Sequence, residues 1–154
     1  MSLKEQISNE IKSSLKAGDK EVVSVLRMLN SKILEKEVSL RSTRGRNYQL
    51  NDEEVIEVVA SYGKQRKQSI DSYREAGRED LALKEEKELA ILKRFLPEQL
   101  SREDVERIVV ESISESGAET VKDLGKVMRI IMPKLKGAAD GKLVNQIVRE
   151  KLGS

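Results

Sequence analysis

The sequence predicts an all-α protein, and three observations carry that prediction. Apolar residues recur three and four positions apart along almost the whole chain, with no alternating strand pattern flanked by hairpin turns. Only two prolines occur, Pro97 and Pro133. The periodic stretches open after Ser, Thr, Asp or Asn and close at Gly, which is how helices begin and end.

The first helix is expected over Leu3–Ala17, with Leu3, Ile7, Ile11 and Leu15 on one stripe and Gly18 supplying the positive φ that ends it. Asp19 then caps a second helix whose inward residues are Val22, Val25 or Leu26, Leu29 and Ile33. That helix fades near Val38. The stretch SLRSTRGRNYQL, Ser39 to Leu50, is polar, basic and aperiodic and is expected to be a mobile loop, with Arg41, Arg44 and Arg46 available to an anion. Asn51 to Glu54 reads as a capping box opening a long third helix, with Val55, Val58 or Val59, Tyr62, Ile70 and Tyr73 inward and Ala76-Gly77 closing it. Gly63 lies mid-helix, where it costs about 1 kcal/mol relative to Ala, so a neighbouring helix is expected to approach closely there. A fourth helix is expected from about Glu79 to Phe95, with Leu81, Leu89, Leu92 and Leu96 as its stripe, before Pro97 blocks continuation.

Beyond Pro97 the helices are shorter. Ser101 to Asp104 resembles a capping box ahead of Val105, Ile108, Val109 and Ile113, and Gly117 ends that helix. Thr120 caps the next, with Val121, Leu124, Val127 or Met128, Ile131 and Leu135 inward, and Gly137 breaks it. A last helix carries Leu143, Val144, Ile147, Val148 and Leu152. The expected organisation is two helical bundles, four helices over residues 1–97 and three over residues 98–154. No repeat at a fixed period and no low-complexity segment is present.

Composition narrows the chemistry. The 154 residues include no cysteine and no histidine. Disulfides, thiol nucleophiles and thiolate zinc sites are excluded, as are a Ser-His-Asp triad and an imidazole proton shuttle. A metal site would have to be built from oxygen ligands alone. Acid–base work would fall to Asp, Glu, Lys or Tyr. No P-loop, dinucleotide fingerprint or nucleophile elbow is found. The reading therefore assigns no catalytic residue, no metal and no cofactor. No apolar run approaches the roughly 20 residues that span a bilayer. The start, MSLKEQISNEIKSSL, lacks the apolar stretch of a signal peptide, so a soluble, cytoplasmic chain without membrane contact is expected.

The charge is unevenly spread. The chain nets +2, yet residues 98–119 hold two basic and seven acidic side chains, while residues 120–154 hold eight basic and three acidic. An acidic helix is thus followed by a basic pair. A basic surface attracts phosphate, and phosphate contacts supply most sequence-independent nucleic-acid affinity. The competing reading is a solvated face, or pairing between the acidic and basic helices. Within MPKLKGAADGKLVN, Met132 to Asn145, three lysines (Lys134, Lys136, Lys142) surround Gly137 and Gly141 at a helix-to-helix turn. Glycines let a ligand approach the backbone, and a helix start offers free N–H groups. The alternative is that Gly137 and Asp140 are simply caps. In the segment Lys64 to Glu85, Lys67, Asp71, Arg74 and Arg78 share a face, read as a charged outer surface rather than a carboxylate dyad.

The strings LKRFLPEQLSREDV, SGAETVKDLGKVMRIIMPKLKGAADGKLVN and KQRKQSIDSYREAGREDLALKE resemble the YqeY family, also called the GatB/YqeY family. The resemblance is collinear from Leu3 to Leu152, with a slightly longer loop at Arg41–Asn47. It implies one bundle of four helices and one of three, the latter similar to the tail of the GatB subunit of the tRNA-dependent amidotransferase. That enzyme converts Glu-tRNA(Gln) to Gln-tRNA(Gln), and its tail contacts the tRNA away from the chemistry. Gly125, Lys126, Met128, Pro133, Lys134, Gly137, Ala139, Asp140, Gly141, Lys142 and Val144 match the tail motif. Ala138 departs from it, where many relatives carry a basic residue. The implied role is an accessory tRNA-binding module, its ligand tRNA or an aminoacyl-tRNA complex, contacted through Lys126, Arg129, Lys134, Lys136, Gly137, Gly141 and Lys142. A synthetase or an amidotransferase is a further possible partner. Two alternatives stand beside it. One is a carbon–nitrogen ligase with glutamine as amido donor, by family inheritance. The other is a protein-interaction module docking through the acidic helix 101–116.

Overall fold

A computed structural model describes residues 1–153, and every regular element among them is helical. In chain order these are α1 (Leu3–Ala17), α2 (Lys20–Arg44), α3 (Asp52–Glu75), α4 (Glu79–Lys93), α5 (Arg102–Ser116), a 3-10 turn (Val121–Asp123), α6 (Leu124–Leu135) and α7 (Gly141–Leu152). Contacts divide the chain into two compact units, Met1–Leu96 and a second that begins at Pro97. None of the described helices is long and apolar enough to cross a membrane.

The first unit contains α1 to α4. Ser2 and Glu5 open α1 by exchanging hydrogen bonds, side chain to backbone in each direction. Leu3 and Ile7 are buried as expected, but Leu15 is 51% exposed and Ser14, at 7%, lies inside instead. A spacing of four overshoots the helical period by about 40° per step, so by Leu15 the stripe has turned about 120° away from Leu3. Ser14, eleven residues on from Leu3, returns to within about 20° of it.

Asp19 accepts the Val22 N–H at 3.2 Å, and α2 begins there. The helix does not fade near Val38: it runs 25 residues to Arg44, and Ser39–Arg44 are helical rather than loop. The reason is a buried carboxylate. Glu37, 4% exposed, pairs with the Lys4 ammonium of α1 and accepts the Leu50 N–H at 3.1 Å. Burial works to raise this carboxyl, but the bonds from Lys4 and Leu50 outweigh it and hold it below its ordinary value. Leu40 packs on the same core, Leu50 is buried in it, and Gly45 ends the helix at φ 111°.

Asn51 and Glu54 form the expected capping box of α3, with bonds of 2.9 and 3.0 Å. Val55, Val59 and Tyr62 join Leu26, Leu29, Ile91 and Leu92 in the main core. Gly63 is buried where α4 passes closely, and a Cβ there would lie 3.4 Å from Leu89 Cδ1. Farther along the α3–α4 hairpin, Ile70, Ala82 and Leu89 make a small cluster of their own with Tyr73 against it. Arg66 joins the two helices: its Nη1 bridges to Glu85 (2.7 Å) and Glu88 (3.3 Å), and its Nη2 donates to the Tyr62 hydroxyl (2.6 Å). Burial, then the neighbouring Glu85, pushes the Glu88 carboxyl above its ordinary value despite Arg66. The helix α4 stops at Lys93, the residue whose carbonyl the Pro97 ring would strike if the helix continued.

The second unit contains α5 to α7. Ser101 caps α5 through the Asp104 N–H, and Gly117 ends it at φ 70°. Val105 and Val109 of α5, Val127, Ile131 and Leu135 of α6, and Val144, Ile147, Val148 and Leu152 of α7 form one core. The helix expected from Thr120 begins instead with the 3-10 turn, and the α-helical part starts at Leu124.

Candidate nucleic-acid interface

The core of the second unit decides which charges face water. With Val127, Ile131 and Leu135 inward, the 3.6-residue period turns Lys126 and Arg129 outward, and both are exposed. On α7, Val144, Ile147 and Val148 are inward, so Lys142 and Arg149, seven residues apart, share the outer face. Arg149 donates from Nε to the neutral Asn145 side chain at 2.9 Å and keeps its charge unmatched. The start of α6 is fixed by Asp123, whose carboxylate accepts the N–H groups of Glu119 (3.0 Å) and Thr120 (3.3 Å). Those bonds, with Lys126 nearby, hold its pKa below the ordinary value.

The turn between α6 and α7 is tightly tied. Leu135 O accepts the Ala138 N–H at 2.9 Å, Gly137 takes φ 75°, and Gln99 donates to the Gly137 carbonyl at 2.7 Å. Leu100 donates its N–H to Ala138 O at 3.0 Å. Asp140 accepts the Lys142 N–H at 3.1 Å, which uses one of the free groups at the start of α7 and places a carboxylate there. The two glycines of the turn differ in role. Gly137 needs its left-handed backbone, whereas a Cβ on Gly141 would only touch Met132 Cε at 3.7 Å.

The acidic helix mostly answers its own cations. Arg102 pairs with Glu106 (3.1 Å) and with Glu150 of α7 (3.0 Å), and Arg107 pairs with Asp104 (3.1 Å). Among the basic side chains of residues 120–154, Lys134 reaches back to α5, bridging Glu115 at 2.9 Å. Lys136 is half-buried and engaged within the chain. Among the described residues, Lys122, Lys126, Arg129, Lys142, Arg149 and Lys151 hold no salt bridge. Of the seven residues expected at the interface, Lys126, Arg129 and Lys142 therefore stand as open cations, and Lys134 is partly spent. Arg149 joins the open set, and its seven-residue spacing from Lys142 was the available signal for it.

The other expected contacts fare differently. Arg44 donates to the Tyr48 hydroxyl (2.7 Å) and bridges Glu54, so its charge is matched. Tyr48 also donates to Glu54 at 2.5 Å, and that bond, then the Asn51 N–H and Arg44, hold the Glu54 carboxyl below its ordinary range. Arg46 is exposed with no salt bridge among the described residues, and Arg41 has a buried Nε without a partner. On the α3–α4 hairpin, Arg74 meets Glu79 (3.3 Å) and Glu86 (2.5 Å), and Arg78 meets Asp80 (3.3 Å).

A family model described as Yqey-like protein matches residues 4–152. An uncharacterised protein of Schizosaccharomyces pombe is 36% identical over 95 residues, covering 62% of this chain and 72% of that one. A glutamyl-tRNA(Gln) amidotransferase subunit of Thermococcus sibiricus is 45% identical over 58 residues, 34% of this chain. Its counterpart in Methanocaldococcus jannaschii is 47% identical over 58 residues. The chain spans only 9% of the length of each of these two archaeal proteins.

Proposed function

The chain belongs to the YqeY-like protein family, and on that premise we propose that it is an accessory RNA-binding module for tRNA or an aminoacyl-tRNA complex, acting in the cytoplasm beside an amidotransferase or a synthetase. The observation that carries this reading is the set of open cations on the outer faces of α6 and α7, above all Lys126, Arg129, Lys142 and Arg149. The acidic helix α5 makes no described salt bridge to any of these four: Glu106 and Asp104 pair with Arg102 and Arg107, and Glu115 with Lys134. The similarity to a short stretch of proteins whose enzyme acts on a glutamyl-tRNA supports the choice of RNA. All four aromatic residues precede Pro97, so the second unit offers no base-stacking platform and would read phosphate and shape.

In the same reading the four helices before Pro97 form one bundle and the three after it another, the second bearing the RNA. Nothing of the amidotransferase chemistry is assigned to this chain. Filter binding with unmodified tRNA tests the proposal. Micromolar or tighter affinity at low salt is expected. Charge reversal at Lys126, Arg129, Lys142 and Arg149 together should weaken it by at least about a hundredfold, since each lost phosphate contact removes a counterion-release contribution. Absence of binding at low salt, or indifference to the fourfold change, overturns the RNA reading. A partner retained on the purified chain after RNase treatment would favour a protein contact instead.

A further inference from the structure

Two large apolar side chains of the first unit, Leu15 and Met28, meet in one open groove and stay largely outside the core. The groove holds about 540 Å³ between the end of α1 and the outer side of α2, with Leu15, Val23 and Met28 as its apolar floor. Leu15 and Met28 are each 51% exposed, although a charged helix former at either position would serve the helix as well. Single exposed hydrophobes are ordinary, and Leu83, 48% exposed on α4, is one. Convergence in a groove is the feature that marks a docking surface.

The rim specifies the occupant. Lys20 and Arg27 line the groove, both exposed, with no salt bridge among the described residues. The lining acid, Asp19, accepts the Val22 N–H at 3.2 Å and forms no salt bridge with either cation among the described residues. The lining stretch of α2 from Lys20 to Ser31 is about three helical turns, roughly 17 Å. A groove of that length, with an apolar floor at its centre and two cations on its rim, fits a short helix with an apolar stripe and carboxylates beside it. Met28 suits such a role, because an unbranched thioether repacks readily against a visiting side chain. We propose that this groove is a docking site for an acidic amphipathic helix of a partner protein. It is separate from the cations of α6 and α7 and does not depend on the RNA reading.

The test is fluorescence anisotropy with the full chain and a labelled synthetic helix of about 14 residues, leucines at i, i+3, i+7 and i+10 and glutamates beside them. A second peptide carries lysines in place of the glutamates. Expected is micromolar binding of the glutamate peptide, weaker by at least about tenfold for the lysine peptide. Leu15→Gln with Met28→Gln, and separately Lys20→Gln with Arg27→Gln, should each weaken the glutamate peptide about tenfold or more. Leu83→Gln should leave it unchanged, and circular dichroism confirms that each variant is folded. The proposal is overturned if neither peptide binds, if the lysine peptide binds equally well, or if the groove variants bind like the parent. Two further outcomes overturn it in favour of another occupant. One is a dimer in sedimentation that the Leu15 and Met28 changes abolish. The other is groove-dependent binding to phosphatidylserine vesicles with no binding of the peptide.

Discussion

Glu37 holds two distant segments with one carboxylate, the Lys4 ammonium and the Leu50 N–H. Glu37→Gln keeps an oxygen for Leu50 but loses the charge that answers Lys4. A loss of about 1–2 kcal/mol in urea unfolding is expected. The folded carboxyl lies below its ordinary value, so its contribution is full above the ordinary carboxylate range near about 4.3 and fades as pH falls through the lower folded value. The gap between parent and variant should therefore close in acid. Glu88 has the opposite sign. Its folded carboxyl is raised by burial and by Glu85, so stability is greatest below the ordinary value and declines as pH rises through the folded one. Glu88→Gln is expected to stabilise the chain at pH 7 by less than about 1 kcal/mol, with no difference left near pH 4. Thermal unfolding of both proteins across pH 4–8 decides this. Neither role is legible in the sequence. A glutamate at an inward position reads as a solvated charge until its partner is known, and Lys4 is 33 residues away from Glu37. Arg66 is hidden for the same reason, since its partner Glu85 lies 19 residues on.

At the scale of elements, local chemistry is legible and distant chemistry is not. The Asn51–Glu54 box, the Asp19 cap and the Gly18 and Gly117 stops each depend on neighbours within a few residues, and each forms as expected. The far end of α2 depends on Glu37, Leu40 and Leu50 joining a core made by other helices, and the sequence window around Val38 contains no sign of it. Gly63 falls between these cases. Its burial against α4 is expected from the sequence, yet the 3.4 Å to Leu89 Cδ1 is ordinary contact with the flexible end of a side chain. Gly63→Ala should therefore gain part of the roughly 1 kcal/mol of helix propensity. Gly63→Leu should instead lose about 1–3 kcal/mol by forcing α3 and α4 apart. Denaturant midpoints of the two variants on either side of the parent would confirm that the helices approach to within one methyl group of each other.

At the scale of the molecule, the charge asymmetry beyond Pro97 is legible from counting, and which of its cations pair within the chain is not. Lys134 sits beside the glycine turn, which makes it a natural candidate in the sequence, but its partner Glu115 lies 19 residues back. The two kinds of cation should separate in a salt titration with tRNA. If Lys126, Arg129, Lys142 and Arg149 each meet a phosphate, they contribute about −3 to the slope of log affinity against log salt. Charge reversal at Lys126 and Arg129 should make that slope shallower by roughly 1.5, and Lys134→Gln should change it by well under 1. The distribution of aromatic residues has a separate consequence. Tyr48, Tyr62, Tyr73 and Phe95 all belong to the unit Met1–Leu96, and the chain has no tryptophan. Tyrosine emission and near-ultraviolet ellipticity thus watch the first unit alone, while far-ultraviolet ellipticity sums the helices of both. The chain is its own selective optical reporter: unfolding followed at the two wavelengths measures how independently its halves melt, with no label added, and one tryptophan placed beyond Pro97 would give the other half a colour of its own.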